Sequence, residues 1–471
     1  MPSTLERLYR RARKLASPVH PRRLWFYLRH GANLLGMYRL RAALWSFFVG
    51  FHPRRVAATL RWARELAAAV RRRRREPRLS VAVDVTVFWE PLTGIGWYLY
   101  RLLEHLADRD DLRLRLYGPN LIDTPDLPPP VVELPAGRAM ELVRYRVPEK
   151  LSVESGRLAR WLRAGSSRLI AVDRNELLFA PNYFLPPCFD RCRGRLVVTV
   201  HDLSVQRVPW TMKEATRQDL DTHLRRTMGR AARVLTDSET VLGELVASAL
   251  VEASRVHAVP LAPGTAATGE GASLPAAVPE RYGLYVGTLE PRKSVPTLLA
   301  AWRLLRDRGA QPPPLVLCGN FGWKTEALRR DVAAAQAEGW LHQLGYLEEA
   351  QLAALYRHAL LVALPSIYEG FGLPVVEAMS VGVPLVLSDI PVLREVGGDA
   401  AVYVPPQQPA AWADAIEELL GDGELRAELA RRGRDRSRRF SWQRTAADTA
   451  AVWLEAAGRG VGASGGEEVG E

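Results

Sequence analysis

Disulfides, membrane spans and zinc sites have little to build on in this sequence. Three cysteines among 471 residues, Cys188, Cys192 and Cys318, are too few for a disulfide framework. Cys188 and Cys192 have no nearby histidine or further cysteine to complete a zinc site, so buried or idle thiols in a reducing, cytoplasmic setting are expected. No aspartate pair suited to holding a metal is apparent. The first residues lack an apolar core followed by a small-residue cleavage site, so no secretory signal is expected.

What the chain does have is length, apolar content and an uneven charge. At 471 residues and 48% hydrophobic, two α/β domains are comfortable and one is not. The formal net charge is +12, yet residues 1–78 hold 20 Lys/Arg against Glu6, Glu65 and Glu76, so everything after them is net acidic. This basic, aromatic-rich segment carries Trp25, Phe26, Tyr27, Trp45, Phe47, Phe48, Phe51 and Trp62, and runs into Arg71 to Arg75. Its longest uncharged stretch, Ala42 to Pro53, falls well short of the ~20 residues that span a bilayer. Two readings suit such a segment. One is helices lying on an anionic membrane surface, which would make the protein peripheral on the inner face of the cytoplasmic membrane. The other is a helical hairpin packed on the rest of the chain with a solvated arginine face. Nucleic acid is not expected, because no binding fold accompanies the arginines.

From Leu79 onward, apolar strands alternate with amphipathic helices. Strands are predicted at Leu79 to Val87, Leu112 to Tyr117, Leu177 to Ala180, Arg195 to Val200, Arg233 to Thr236 and Val256 to Pro260. A helix is expected around Val153 to Ala164 and a long one over Met212 to Arg230, with Asp237-Ser-Glu-Thr240 capping the next. An Ala/Gly/Pro-rich linker follows over 263–280. The alternation resumes with strands near Tyr282 to Val286, Leu315 to Cys318, Leu341 to Leu344, Leu360 to Leu364, Pro384 to Leu387 and Ala401 to Val404. This order implies parallel sheets with helices on both faces: an α/β architecture of two doubly wound, Rossmann-like domains with a cleft between them, over 79–262 and 281–439. A last helix over 440–456 should return to the first domain, and the glycine-rich acidic tail 457–471 reads as disordered.

Four motifs fall at carboxyl ends of predicted strands, where ligands bind in open α/β sheets. Gly94 and Gly96 lie between the first strand and a helix from Trp97 to Leu106, as in a phosphate-binding nest. His201 and Asp202 follow the strand that ends at Val200. Arg292 and Lys293 follow the strand near Val286, well placed to neutralise a diphosphate. Glu369-Gly-Phe-Gly-Leu-Pro-Val-Val-Glu377 follows Leu364 and opens a helix at Pro374, with seven residues between two glutamates whose natural partners are hydroxyl groups.

The paired-glutamate stretch resembles the signature of retaining nucleotide-sugar glycosyltransferases of family 4, with the two-domain GT-B fold, and the four motifs in order extend the resemblance over about residues 79 to 456. It implies transfer of a hexose from a nucleoside diphosphate sugar to an acceptor hydroxyl with retention of anomeric configuration. The acceptor would be a saccharide or lipid-linked saccharide. By this resemblance Glu369 holds sugar hydroxyls, Glu377 the ribose, and His201 a sugar hydroxyl or the reacting centre. Gly94, Gly96, Arg292, Lys293, Gly370, Phe371, Gly372 and Leu373 complete the donor site. No cofactor or metal is expected, since Arg292, Lys293 and the glycine-loop amides can take the diphosphate charge. Similarity to bacterial mannosyltransferases of surface polysaccharide assembly favours mannose. A GT-B phosphorylase, a nucleotide-sugar epimerase and a catalytically silent membrane-bound scaffold would share the scaffold. Two departures stand out: Thr288 where many members have Arg, and Ser294 where they have Gly or Asn.

Overall fold

The computed structural model describes residues 78–89, 94–119, 140–145, 174–186, 189, 192–264, 274–275 and 278–459. The basic segment, the helix expected around Val153 and most of the tail lie outside these residues, as does most of the linker. The described residues divide into two compact units, one drawn from 78–89, 107–179 and 186–194, the other from 94–106, 180–185 and 195–459.

The first unit is built on four parallel strands, β1 (Leu79–Asp84), β2 (Leu112–Pro119), β3 (Met140–Tyr145) and β4 (Leu177–Ala180), in the order β3-β2-β1-β4. β1 stops at Asp84 instead of running to Val87, because the Asp84 carboxylate accepts a hydrogen bond from Thr86 N–H (3.0 Å) and turns the chain into a short 3-10 segment, Thr86–Trp89. β3 lies in a stretch for which the sequence suggested no strand. Arg115 is buried on β2, where its guanidinium donates to Asn175 Oδ1 (2.6 Å) and Asn175 in turn donates to Tyr117 Oη (2.8 Å). That is how a polar group survives in an apolar sheet.

The second unit begins with α1 (Gly94–Leu106) and contains two groups of parallel strands. The smaller has β5 (Arg195–Val200), β6 (Arg233–Thr236) and β7 (Val256–Ala258) in sequence order, with α2 (Ser204–Arg207), α3 (Glu214–Met228) and α4 (Glu239–Ala247) in its connections. α3 starts two residues later than the pattern suggested, since Met212 and Lys213 are extended. The larger sheet is β10-β9-β8-β11-β12-β13, from β8 (Gly283–Val286), β9 (Leu315–Cys318), β10 (Leu341–Gly345), β11 (Leu361–Leu364), β12 (Leu385–Ser388) and β13 (Ala401–Val404). Between them run α5 (Val295–Asp307), α6 (Glu326–Ala337), α7 (Glu349–His358), α8 (Leu373–Val381) and α9 (Pro391–Gly397), followed by α10 (Pro409–Gly421), α11 (Gly423–Ser437) and α12 (Trp442–Ala456).

β8, β9, β11 and β12 are buried almost throughout, as strands covered on both faces must be, so their sequences read as continuous Leu/Val runs. The core beneath them is anchored by the fully buried Trp302 and Trp412, each donating its indole N–H to a proline carbonyl (Pro313 at 2.9 Å, Pro405 at 3.1 Å). α12 packs on α1, β5 and β6; Thr445 donates to Pro260 O (2.7 Å) and Trp442 Nε1 to Pro263 O (3.0 Å). Among the described residues no helix is long and apolar enough to cross a membrane.

Candidate active site

β8 and β11 are hydrogen-bonded neighbours, Gly283 opposite Leu361 and Leu284 opposite Val362, so the segments leaving their carboxyl ends start side by side. After β8 the chain reaches a 3-10 turn, Pro291–Lys293, and Ile367 N–H, beyond β11, donates to Arg292 O (2.8 Å). Lys293 then donates to both carboxylate oxygens of Glu369 (2.5 and 2.7 Å), while Arg292 Nη1 donates to Glu369 Oε2 (3.1 Å) and to Tyr368 O (3.3 Å). Arg292 Nε meets Glu290 Oε1 at 2.6 Å, its Nη2 stands 4.0 Å from Asp202, and Ser366 Oγ donates to Glu369 Oε1 (2.7 Å). Arg292, Lys293 and Glu369, named separately from the sequence, thus form one ion network with Asp202 and Glu290.

Burial opposes the charges of Glu369, Lys293 and Glu290. For Glu369 the charges of Lys293 and Arg292, with the bonds from Lys293 and Ser366, outweigh it and hold the carboxyl below the usual range. For Lys293, burial and the neighbouring Arg292 charge together overcome Glu369 and lower the ammonium from its ordinary value. Burial raises Glu290 above the usual carboxyl range despite Arg292 and Lys293. Lys293 spends two donors on Glu369, so its third ammonium N–H remains for an anion.

The turn that presents Lys293 ends at Ser294, whose φ of +51° lies in the left-handed region. This is the physical content of the departure noted above, since Gly and Asn tolerate that region best. A hydrogen bond between Ser294 Oγ and Thr297 Oγ1 (2.9 Å) offsets part of the cost.

His201 leaves β5, and Asp237 leaves β6, immediately after the register pair Val200 and Thr236. The His201 ring lies between two acceptors, Asp237 Oδ2 at 2.7 Å from Nδ1 and Pro181 O at 2.8 Å from Nε2, with Tyr98 of α1 packed edge-on at 5.0 Å. A neutral imidazole can donate to one acceptor only, so this setting favours the imidazolium. Burial works against that charge, but the Asp237 carboxylate, the Pro181 carbonyl and Asp202 together raise the ring above its ordinary value. Both ring nitrogens are therefore occupied within the protein. Asp237 read from the sequence as part of a helix cap; the cap is Ser238 alone, whose Oγ accepts from Val241 N–H (3.2 Å).

Gly370 joins the two groups. A Cβ there would fall 1.9 Å from His201 O, so no other residue fits, and Ser238 Oγ donates to Gly370 O (2.8 Å). Gly372, at φ +101°, ends the loop as the residue before α8, with Leu373 first in the helix and Pro374 in its opening turn. Phe371 is buried, edge-on to Phe440 at 5.7 Å, and wedges the loop in place. Tyr368 Oη accepts from Leu203 N–H (2.9 Å) and donates to Glu244 Oε2 (2.8 Å).

Glu377 belongs to a different network. Tyr356 Oη donates to its Oε2 (2.8 Å), the Gly264 backbone N–H also bonds it, and burial pushes the carboxyl up to about 7. Gly94 and Gly96 depart from expectation in backbone: α1 begins at Gly94, not Trp97, so both sit in its first turn, and neither has a positive φ. Residues 90–93 of that loop are outside the described ones. Asp237, Glu290, Ser366 and Tyr368 were not identified beforehand as site residues. For Asp237 a signal existed, a carboxylate directly after a parallel strand beside the one that delivers His201.

The family model of glycosyl transferases group 1 matches residues 272–436. The O-antigen chain mannosyltransferase B of Escherichia coli is 30% identical over 369 residues, 76% of this chain and 95% of that protein. A D-inositol 3-phosphate glycosyltransferase of Salinispora tropica is 32% identical over 250 residues, 49% of this chain and 52% of its own. Among solved structures, sucrose-phosphate synthase of Thermosynechococcus elongatus superposes with a TM-score of 0.61 at 21% identity, covering 80% of this chain and 99% of that one. Anabaena HepE, in complex with UDP and glucose, gives 0.60 at 17%, covering 79% and 98%. The fold is thus GT-B, with two parallel-sheet α/β domains. With a relative matched over nearly its whole length and a family model seated on the segment that carries Arg292, Lys293, Glu369 and Glu377, this chain belongs to the group 1 glycosyltransferases.

Proposed function

We propose that this glycosyltransferase moves a hexose, with mannose favoured, from a nucleoside diphosphate sugar to a hydroxyl of a saccharide or lipid-linked saccharide, with retention, as a family 4 enzyme of cell-surface polysaccharide or glycolipid assembly. The observation that carries this reading is the convergence of Arg292 and Lys293 on Glu369. Two cations beside a carboxylate suit a ligand that is anionic at one end and hydroxylated at the other. The mannosyltransferase relative supports the sugar and the setting, and the UDP held by HepE supports the donor class.

In this mechanism the bond from the anomeric carbon to the leaving phosphate oxygen breaks while the acceptor oxygen attacks from the same face, and the leaving phosphate takes the acceptor proton. Arg292 and the spare Lys293 donor stabilise the charge that develops on the diphosphate, so no metal is required. Glu369 accepts from sugar hydroxyls in exchange for one of the donors it now holds, and Glu377 accepts from the ribose. His201, with both ring nitrogens engaged, serves as a fixed cation instead of shuttling protons. Gly94 and Gly96 place the amides of the first turn of α1 toward the donor.

The test is a screen of nucleoside diphosphate sugars for protection against thermal unfolding, where a ligand at 100 times its Kd adds ~2.7 kcal/mol. NMR of the product's anomeric proton follows for the donor that protects. Protection followed by transfer with retention is the expected result. Donor turnover without acceptor to an epimer, or an absolute need for inorganic phosphate, would replace this reading by an epimerase or a phosphorylase, and protection by no nucleotide sugar would leave the scaffold reading.

A further inference from the structure

Three large apolar side chains stand exposed among the described residues, and two of them, Trp210 (66%) and Trp323 (40%), lie on loops that touch each other. Trp323 Nε1 donates to Thr211 O (2.9 Å), and Lys324 Nζ donates to Trp210 O (2.9 Å) and Met212 O (2.6 Å). Lys324 does so from a left-handed backbone, φ +53°, a strain of order 1–2 kcal/mol that its ammonium bonds help to hold. An open cavity of about 690 Å³ lies here, lined by Pro209, Trp210, Met212, Lys213, Glu214, Arg217 and Lys324. An indole is thus held exposed beside a loop junction cross-linked by hydrogen bonds.

The loop that carries Trp323 adjoins the ion network. Trp210 lies eight residues beyond Asp202, through α2. Trp323 follows Gly322, where a Cβ would come 3.3 Å from Glu290 Cβ, the residue that holds Arg292. Most of the charge in the groove's lining is spent within the protein: Arg217 donates to Glu214 (2.6 and 2.8 Å), and Lys324 to the Trp210 and Met212 carbonyls. A lining of largely paired donors and acceptors beside an indole suits hydroxyl groups, which both donate and accept.

We infer that this groove binds the saccharide acceptor at a ring distant from the reacting hydroxyl, stacked on Trp210. The inference rests on the proposed acceptor class and adds a site that sets preference for acceptor length. The flat apolar face of a hexose covers the indole, and Lys213 and Glu214 hydrogen-bond its hydroxyls.

The experiment uses the full chain, mannose oligosaccharides of one to five residues, and the variants Trp210→Ala and Trp210→Phe. Wild type is expected to show KM falling with acceptor length. Trp210→Ala should raise KM for the longest acceptor about tenfold and leave KM for the monosaccharide and the rate of donor hydrolysis unchanged, while Trp210→Phe keeps most of the length preference. Calorimetric titration with the pentasaccharide, without donor, should show binding by wild type that Trp210→Ala loses. Equal length dependence in wild type and Trp210→Ala, or an equal rise in KM for every length, would overturn the inference. Should wild type transfer no sugar at all, the proposed function fails while the titration still decides the groove, pentasaccharide binding lost in Trp210→Ala supporting it and unaltered or absent binding overturning it.

Discussion

Lys293 Nζ sits 2.5 Å and 2.7 Å from the two carboxylate oxygens of Glu369, a bidentate contact between loops that issue from adjacent parallel strands. The pair holds the site together before any ligand arrives, and the acceptor positions of Glu369 are already taken by Lys293, Arg292 and Ser366, so a ligand hydroxyl has to exchange with one of them.

Lys293→Ala should leave a folded protein whose turnover falls by roughly two to three orders of magnitude, because it removes a donor aimed at charge that develops on the leaving group. Glu369→Gln should also lower turnover, with the donor Kd changed less. Steady-state kinetics beside circular dichroism check both, and near wild-type turnover by folded Lys293→Ala would contradict the assignment.

With the proposed ribose contact at Glu377, donor affinity should depend on pH. Its carboxyl is raised from 4.5 to about 7 by burial, so its ionisation costs the folded state roughly 3 kcal/mol once pH exceeds 7 and nothing below 4.5. A ribose hydroxyl that donates to it favours the ionised form. Donor binding should therefore tighten as pH rises through about 7 in wild type and stay flat in Glu377→Gln, which should also be the more stable protein above pH 7. Titration calorimetry and thermal melts at pH 6 and 8 measure both effects, and equal pH profiles would remove Glu377 from the donor site.

The Asp237 carboxylate should govern the charge of His201. A ring raised above its unfolded value contributes stability that is complete below pH 6.5 and is lost as pH rises through the folded value. Asp237→Asn should lower the His201 titration and destabilise the protein at pH 6 by roughly 2–4 kcal/mol, much less at pH 9. NMR of the His201 ring and urea unfolding at the two pH values are the measurements, and an unmoved titration would refute the pairing.

The basic segment 1–78 is proposed to lie on anionic membrane. Removing residues 1–77 should leave a folded protein, active on a soluble acceptor, that no longer sediments with anionic vesicles. Neutralising Arg71 to Arg75 should weaken vesicle binding by ~1 kcal/mol per arginine, less at high salt. Early melting of the shortened chain with a silent arginine variant would favour the packed hairpin instead.

The element pattern was legible because it is local. Leu315 to Cys318 or Ala401 to Val404, four apolar residues between turn formers, can only be strands in this alternation, and their limits agree with the structure to the residue, the first buried throughout and the second a half-buried edge strand. β3 escaped, since Met140–Tyr145 mixes charged and apolar residues without a continuous apolar run. α9 escaped because seven residues between Pro391 and Gly397 show less than two helical turns of periodicity.

Sequence alone showed which residues stand at the carboxyl ends of strands, His201, Arg292, Lys293 and Glu369 among them, since a parallel strand delivers its next residues to one edge. Partnership was decided by the tertiary structure alone. Register sets His201 beside Asp237 and the β8 loop beside the β11 loop, residues 36 and 76 positions apart in the chain. Burial then decided the charges, lowering Lys293 and raising Glu377, because desolvation depends on what surrounds a group and not on its neighbours in sequence.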